Sequence, residues 1–96
     1  MNQDKKTKEF YGRLLEQLRD DTSWPSPYLY KFIVPASLEK ITEIEAAFDN
    51  MEARVETRDS SKGNSTSVSV SVTMESPEAV VEKYLAVSKV EGVISL

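Results

Sequence analysis

A chain of 96 residues has room for one domain around one hydrophobic core. Charged residues at 29% and hydrophobic ones at 40% describe a folded protein with a well-solvated surface, and a formal charge of −4 offers no global field to nucleic acid or an anionic membrane. The absence of cysteine and histidine excludes disulfides, thiolate nucleophiles, iron–sulfur clusters, cysteine zinc sites, and the commonest general base and metal ligand.

The opening residues Met1–Lys6 are polar and expected to fray, and "MNQDKKTKEF" lacks the apolar stretch of a signal peptide. From Thr7 a helix is expected, with Phe10, Tyr11, Leu14, Leu15 and Leu18 on one stripe and Glu9, Arg13, Glu16, Gln17 and Arg19 opposite. Gly12 costs it about 1 kcal/mol against alanine, so packing must support it. The prolines of "DDTSWPSP" end it at 20–27.

"YLYKFIV" at 28–34 is aromatic and β-branched, a strand that Pro35 closes. Ser37 is a suitable N-cap for a helix presenting Leu38, Ile41, Ile44, Ala47 and Phe48 on one face and closing near Asn50. "MEARVETR" at 51–58 alternates Met51, Ala53 and Val55 with Glu52, Arg54, Glu56 and Arg58. "SVSVSVTM" at 67–74 alternates more strictly, with Val68, Val70, Val72 and Met74 on one side and Ser67, Ser69, Ser71 and Thr73 on the other.

Ser76 and Pro77 read as the N-cap and first position of another helix, continued by Val80, Val81, Tyr84, Leu85 and Ser88. Gly92 then opens a short last strand, "VISL". Val68, Val70, Val72, Phe32, Ile41, Ile44, Phe48 and Val81 are expected to be buried together, with Tyr30 in the core and Trp24 capping one end.

A leading helix followed by βαββαβ predicts an α+β, ferredoxin-like arrangement: a four-stranded antiparallel sheet with two helices on one face, plus the extra N-terminal helix. Residues 1–27 form the tail, amphipathic helix and proline-containing linker, and residues 28–96 the domain. Water meets the other sheet face, which by parity carries the serine row, the Glu52/Arg54/Glu56 row, Leu29, Lys31 and Ile33.

"WPSPYLYKFIV", "SSKGN" running into an alternating strand, and "YLAVSKVEGVISL" together resemble the YbeD-like family of small bacterial proteins of unknown function. The likeness covers residues 14–96, and "SSKGN" before the strand is its most specific element. It implies a ferredoxin-like fold likened to regulatory ACT domains, with no catalytic residues to carry over. This chain departs from the family's short form in having more residues ahead of the first helix.

"DSSKGNST" at 59–66 has two readings. Backbone amides around Gly63, the Ser60 and Ser61 hydroxyls and the Lys62 ammonium could converge on a phosphate or carboxylate. As a hairpin tip, Gly63 or Asn64 takes positive φ while serines bond the loop backbone. A Walker loop feeds a helix whose N-terminus helps hold phosphate; this loop feeds a strand, which favours the tip. Ser60, Ser61, Lys62, Gly63 and Asn64 remain candidates for ligand or partner contact, as do Lys31, Arg54, Ser69 and Ser71 on the open face. The alternating charges at 52–58 read as exposed ion pairs rather than an acid–base pair.

The RNA-binding, acylphosphatase and copper-carrying versions of this fold need stacking aromatics, an arginine-bearing loop and cysteines respectively, and "VPASLEK" has no arginine. A non-enzymatic, cytoplasmic binding domain without a cofactor or metal is expected. It would contact a protein partner or small regulatory ligand in an ACT-like manner, with neither nucleic acid nor membrane as partner and a homodimer as a possible assembly. A purely structural self-associating protein is the alternative, ahead of an enzyme using carboxylates or Lys62. The stripe of the leading helix serves either its own domain or a partner.

Overall fold

The computed structural model describes residues 5–21 and 23–96. The expected fraying of residues 1–4 lies outside the described residues. Lys5 and Lys6, expected to fray, are helical: α1 runs Lys5–Asp21, because a helix nucleated in its amphipathic part propagates backward through residues that do not oppose it.

Strict alternation makes β3 (Ser65–Met74) a strand with one dry side. Thr66, Val68, Val70, Val72 and Met74 are all buried. β1 (Ser26–Pro35) lies antiparallel beside it, placing Tyr30 opposite Val70, Phe32 opposite Val68 and Val34 opposite Thr66. β2 (Arg54–Asp59) pairs with the other side of β3, and β4 (Ile94–Ser95) with the other side of β1. The sheet order is β2-β3-β1-β4 and every pairing is antiparallel, the ferredoxin-like arrangement.

The two crossover helices start where side-chain caps are supplied. In α2 (Leu38–Ala47) the Ser37 hydroxyl accepts from the Lys40 amide at 3.3 Å, and in α3 (Pro77–Val87) Ser76 accepts from Ala79 at 3.1 Å. The last turn of α2 contains no basic residue of its own. Lys83 of α3 serves instead, donating to the Ala47 carbonyl at 2.6 Å with its ammonium 5.8 Å from the Phe48 ring.

Both helices cover the buried side of the sheet. Ile44 and Phe48 reach it from α2; Pro77, Val80, Tyr84 and Val87 reach it from α3. The buried Tyr30 hydroxyl donates to the Val80 carbonyl at 3.0 Å, and buried Thr66 donates to Asp59 at 3.2 Å, so neither polar group is stranded.

Several expected positions move. Val81 is half-buried and outside the core, where Val80 takes its place. The helix carries two adjacent apolar stripes, and the sheet selects the one through Val80, Tyr84 and Val87, leaving Leu85 exposed. Ile41 is only half-buried, although packed on the core, and Leu38 is 81% exposed. A first-turn side chain leans back toward the helix N-terminus, away from the surface that later turns cover. The second strand begins at Arg54 rather than Met51, because Asn50 (φ 63°) and Glu52 (φ 57°) are left-handed and turn the chain. Glu52 therefore leaves the expected open-face row, while Met51 reaches the core from the turn.

Helix α1 packs on α3. Tyr11, Leu14 and Leu18 lie against the core, while Phe10, expected on the same stripe, is 61% exposed. Arg19 forms an ion pair with Glu78, and that neighbour holds the Glu78 carboxyl below its ordinary range. Trp24 packs at the edge of the core and donates from Nε1 to the Leu18 carbonyl at 3.2 Å, closing the end of α1. The stripe of α1 thus meets its own domain.

Candidate binding face of the sheet

The outward side of β3 has small side chains only, Ser65, Ser67, Ser69, Ser71 and Thr73. Its neighbours carry long ones. Register sets three rows across the face: Arg58–Ser67–Ile33, Glu56–Ser69–Lys31 and Arg54–Ser71–Leu29. Flanking strands stand about 9.6 Å apart, two strand spacings, so the hydroxyls form the floor of a trough and the longer side chains its walls. A depression of about 420 Å³ occupies part of it, lined by Lys31, Glu56, Thr57, Arg58, Ser67 and Ser69.

Lys31, Arg54, Ser69 and Ser71 therefore share one face, Lys31 opposite Ser69 and Arg54 opposite Ser71. Arg58, Glu56, Thr57 and Ser67 also line the depression; the sequence puts Ser67 in the open-face serine row and Glu56 and Arg58 in the charge row, but not in one shared site. Parity puts Arg58 on the same side as Arg54, but only the register of the hairpin places it across from Ser67. Arg54 and Glu56 form an exposed ion pair at 3.3 Å, the type expected for this charge row. Among the described residues, neither Lys31 nor Arg58 is in an ion pair.

Toward β4 the face becomes apolar. Ile33 pairs with exposed Ile94, and Leu29 is also exposed. The Leu96 amide donates to the Lys31 carbonyl at 2.9 Å, which brings a third exposed aliphatic side chain to this edge. Tyr28, Tyr30 and Phe32 all take the opposite parity, toward the helices.

Residues 60–64 sit apart from the trough, at the tip of the β2–β3 hairpin. The Ser60 hydroxyl accepts from the Asn64 and Ser65 amides, each at 3.2 Å, and its carbonyl accepts from Gly63 at 3.0 Å. Ser60 donates its own amide to the Ser65 carbonyl at 2.9 Å. Gly63 has φ 74°, the left-handed conformation of a turn. The amides of residues 60, 63 and 64 are thus engaged within the loop, and Lys62 stands exposed beside them.

Tyrosines supply the titratable groups of the interior. The Tyr28 and Tyr84 hydroxyls meet at 2.8 Å, and Tyr11 lies with its ring centre 6.2 Å from that of Tyr84. Burial pushes the Tyr11, Tyr30 and Tyr84 hydroxyls above their ordinary value, away from the range useful to a general base at neutral pH. Among the described residues, no group of three carboxylates converges as a metal site would require. None of the described helices is long and apolar enough to cross a membrane.

The combination is an open-faced, ferredoxin-like α+β domain with a polar trough over its central strand. Residues 20–96 match the model of DUF493, a protein family of unknown function, and the chain belongs to that family. YbeD is of the same family, in agreement with the resemblance carried by "SSKGN". The match begins at Asp20, so nearly all of α1 lies ahead of it. No curated protein and no solved structure matches the chain.

Proposed function

We propose that this domain acts by binding rather than by catalysis, with the open face of the sheet as its contact surface. The observation that carries this reading is the trough itself: Lys31 and Arg58 stand over the Ser67 and Ser69 hydroxyls in a depression outside the core. Hydrogen-bonding and cationic groups gathered without an activated base or nucleophile suit recognition better than bond-making. The ligand is a protein partner or a small regulatory molecule, in the manner of ACT-like domains, and the setting is cytoplasmic.

Filling the trough tests this. Ser69→Trp raises its floor at a half-buried position on the side away from the core. Wild-type and variant proteins are immobilised for quantitative capture from a lysate of the source cell, and are screened in solution against metabolites for a rise in melting temperature. A stoichiometric partner or a stabilising metabolite, lost in the variant, is expected. A ligand that the variant retains in full removes the face from consideration, and turnover of any screened metabolite removes the non-catalytic reading.

A second reading, self-association, draws on β4. This strand is two residues long, so most of β1 has an outer edge that β4 does not pair. Light scattering after gel filtration distinguishes a dimer from a monomer, and Ile94→Asp would dissolve a dimer built on that edge.

A further inference from the structure

We infer that the trough over β3 takes an extended acidic segment of a protein partner, with its carboxylates seated between Lys31 and Arg58 over the Ser67 and Ser69 hydroxyls. This rests on the binding role argued above and specifies its occupant.

Charge is the first ground. Across rows 54–71–29, 56–69–31 and 58–67–33 the face carries three cations, Arg54, Arg58 and Lys31, against one carboxylate, Glu56. The chain as a whole has a formal charge of −4, so this face is basic on an otherwise acidic molecule. Glu56 is already met by Arg54 at 3.3 Å. Lys31 and Arg58 are left on opposite walls in adjacent rows, with Ser67 and Ser69 between them. Carboxylates placed there accept from the guanidinium over Ser67 and from the ammonium over Ser69, with the hydroxyls donating from below. Two copies meeting face to face would oppose cation to cation, which disfavours a symmetric dimer through this surface.

Shape is the second. Small-molecule sites enclose most of their ligand in largely apolar surroundings. This trough is shallow and hydroxyl-floored, and it follows a strand of ten residues. A polypeptide in extended conformation fits that form. Adjacent rows lie about 6.8 Å apart along the strands, the same step that separates alternate side chains of an extended segment. Acidic side chains at alternate positions therefore face the Arg58 and Lys31 rows in turn. The next alternate position faces Leu29, where an apolar side chain finds contact. The complementary pattern is acidic–x–acidic–x–apolar.

The test titrates the isotope-labelled full chain with a short synthetic peptide of alternating glutamate and serine that ends in leucine. Controls are the same peptide with lysine for glutamate, and citrate and inorganic phosphate as free anions. Saturable amide shifts at Lys31, Arg58, Ser67 and Ser69 are expected with the glutamate peptide alone, with an affinity that falls as salt rises. Lys31→Glu and Arg58→Glu should each weaken binding about tenfold or more. Arg13→Glu, on the exposed side of α1, should leave it unchanged. Lys31→Gln and Arg58→Gln, milder changes at the same exposed positions, repeat the measurement if either reversal disturbs folding.

Equal binding of the lysine peptide, indifference to all four variants, or shifts confined to the helices overturns the inference. So does tighter binding of citrate or phosphate at these residues, which would assign the site to a small anion. Self-association abolished by Lys31→Glu would assign it to the acidic surface of a second copy. If no peptide binds while Ser69→Trp still abolishes partner capture, the acidic segment is wrong and the binding role stands. If the variant captures fully, the binding role of the face fails as well.

Discussion

The Tyr28 hydroxyl lies 2.8 Å from the Tyr84 hydroxyl and joins β1 to α3 beside the ring of Tyr11. The contact makes stability sensitive to alkali. Burial raises the Tyr84 and Tyr30 hydroxyls well above 10.0, and nearby Tyr28 adds to the shift in both. The folded state thus favours the neutral form, while unfolded tyrosines lose their proton near their ordinary value. This contribution is complete below about pH 10 and is lost as pH climbs toward the folded values. Urea midpoints should decline above about pH 10, together with a delayed rise of tyrosinate absorbance. A midpoint that stays level while the tyrosines ionise would refute the assignment.

Parity in β3 yields a sharper comparison. Val70 is fully buried and Ser69, its neighbour, faces the trough. Val70→Asp puts an unpaired charge into the core at a cost of several kcal/mol and should unfold the domain. Ser69→Asp should cost less than about 1 kcal/mol, since water and Lys31 reach the new carboxylate. Equal harm from the two in chemical denaturation would contradict the register.

Helix α1 is predicted to stabilise the domain it precedes. Removing residues 1–20 takes away Tyr11, Leu14 and Leu18 from the core edge and uncovers α3 around Tyr84. The melting temperature should fall by several degrees. The exposed Arg19–Glu78 pair contributes little to this, and Arg19→Ala should mainly raise the Glu78 carboxyl toward its ordinary range, with the backbone and Ser76 hydrogen bonds still lowering it. An unchanged melting temperature after truncation would mean that α1 packs without stabilising.

Two glycines should respond differently. Gly63 has φ 74° in open space, so Gly63→Val is expected to cost about 1 kcal/mol or more through backbone strain alone. Gly92 has φ 84°, and a Cβ there would meet the Pro35 ring carbon Cγ at 2.8 Å. Gly92→Ala should therefore exceed Gly63→Ala by about 1 kcal/mol or more. Lys62→Ala should change stability by less than about 0.5 kcal/mol. Phosphate is expected not to shift the melting temperature through Lys62. A rise abolished by Lys62→Ala would reopen the loop as an anion site.

Local chemistry makes much of this protein legible in its sequence. The Ser37 and Ser76 caps announce their helices because an N-cap acts within one turn. The serine–valine alternation settles the two faces of β3 because a strand has a period of two. The turn at Gly63 follows from the same local logic. Choices between comparable local solutions were not legible. Val80 and Val81 are equally apolar, and only the sheet decides which of their stripes is covered. Left-handed Asn50 and Glu52 interrupt an alternation that reads as continuous strand, because a pattern of hydropathy carries no sign of φ. The trough arises from the same gap. Lys31, Arg58, Ser67 and Ser69 come from three strands, and their meeting depends on hairpin and crossover registers that set which residues stand opposite one another. Side-chain types and strand parity are local properties, but a site shared by three strands exists only once long-range backbone pairing has fixed the register.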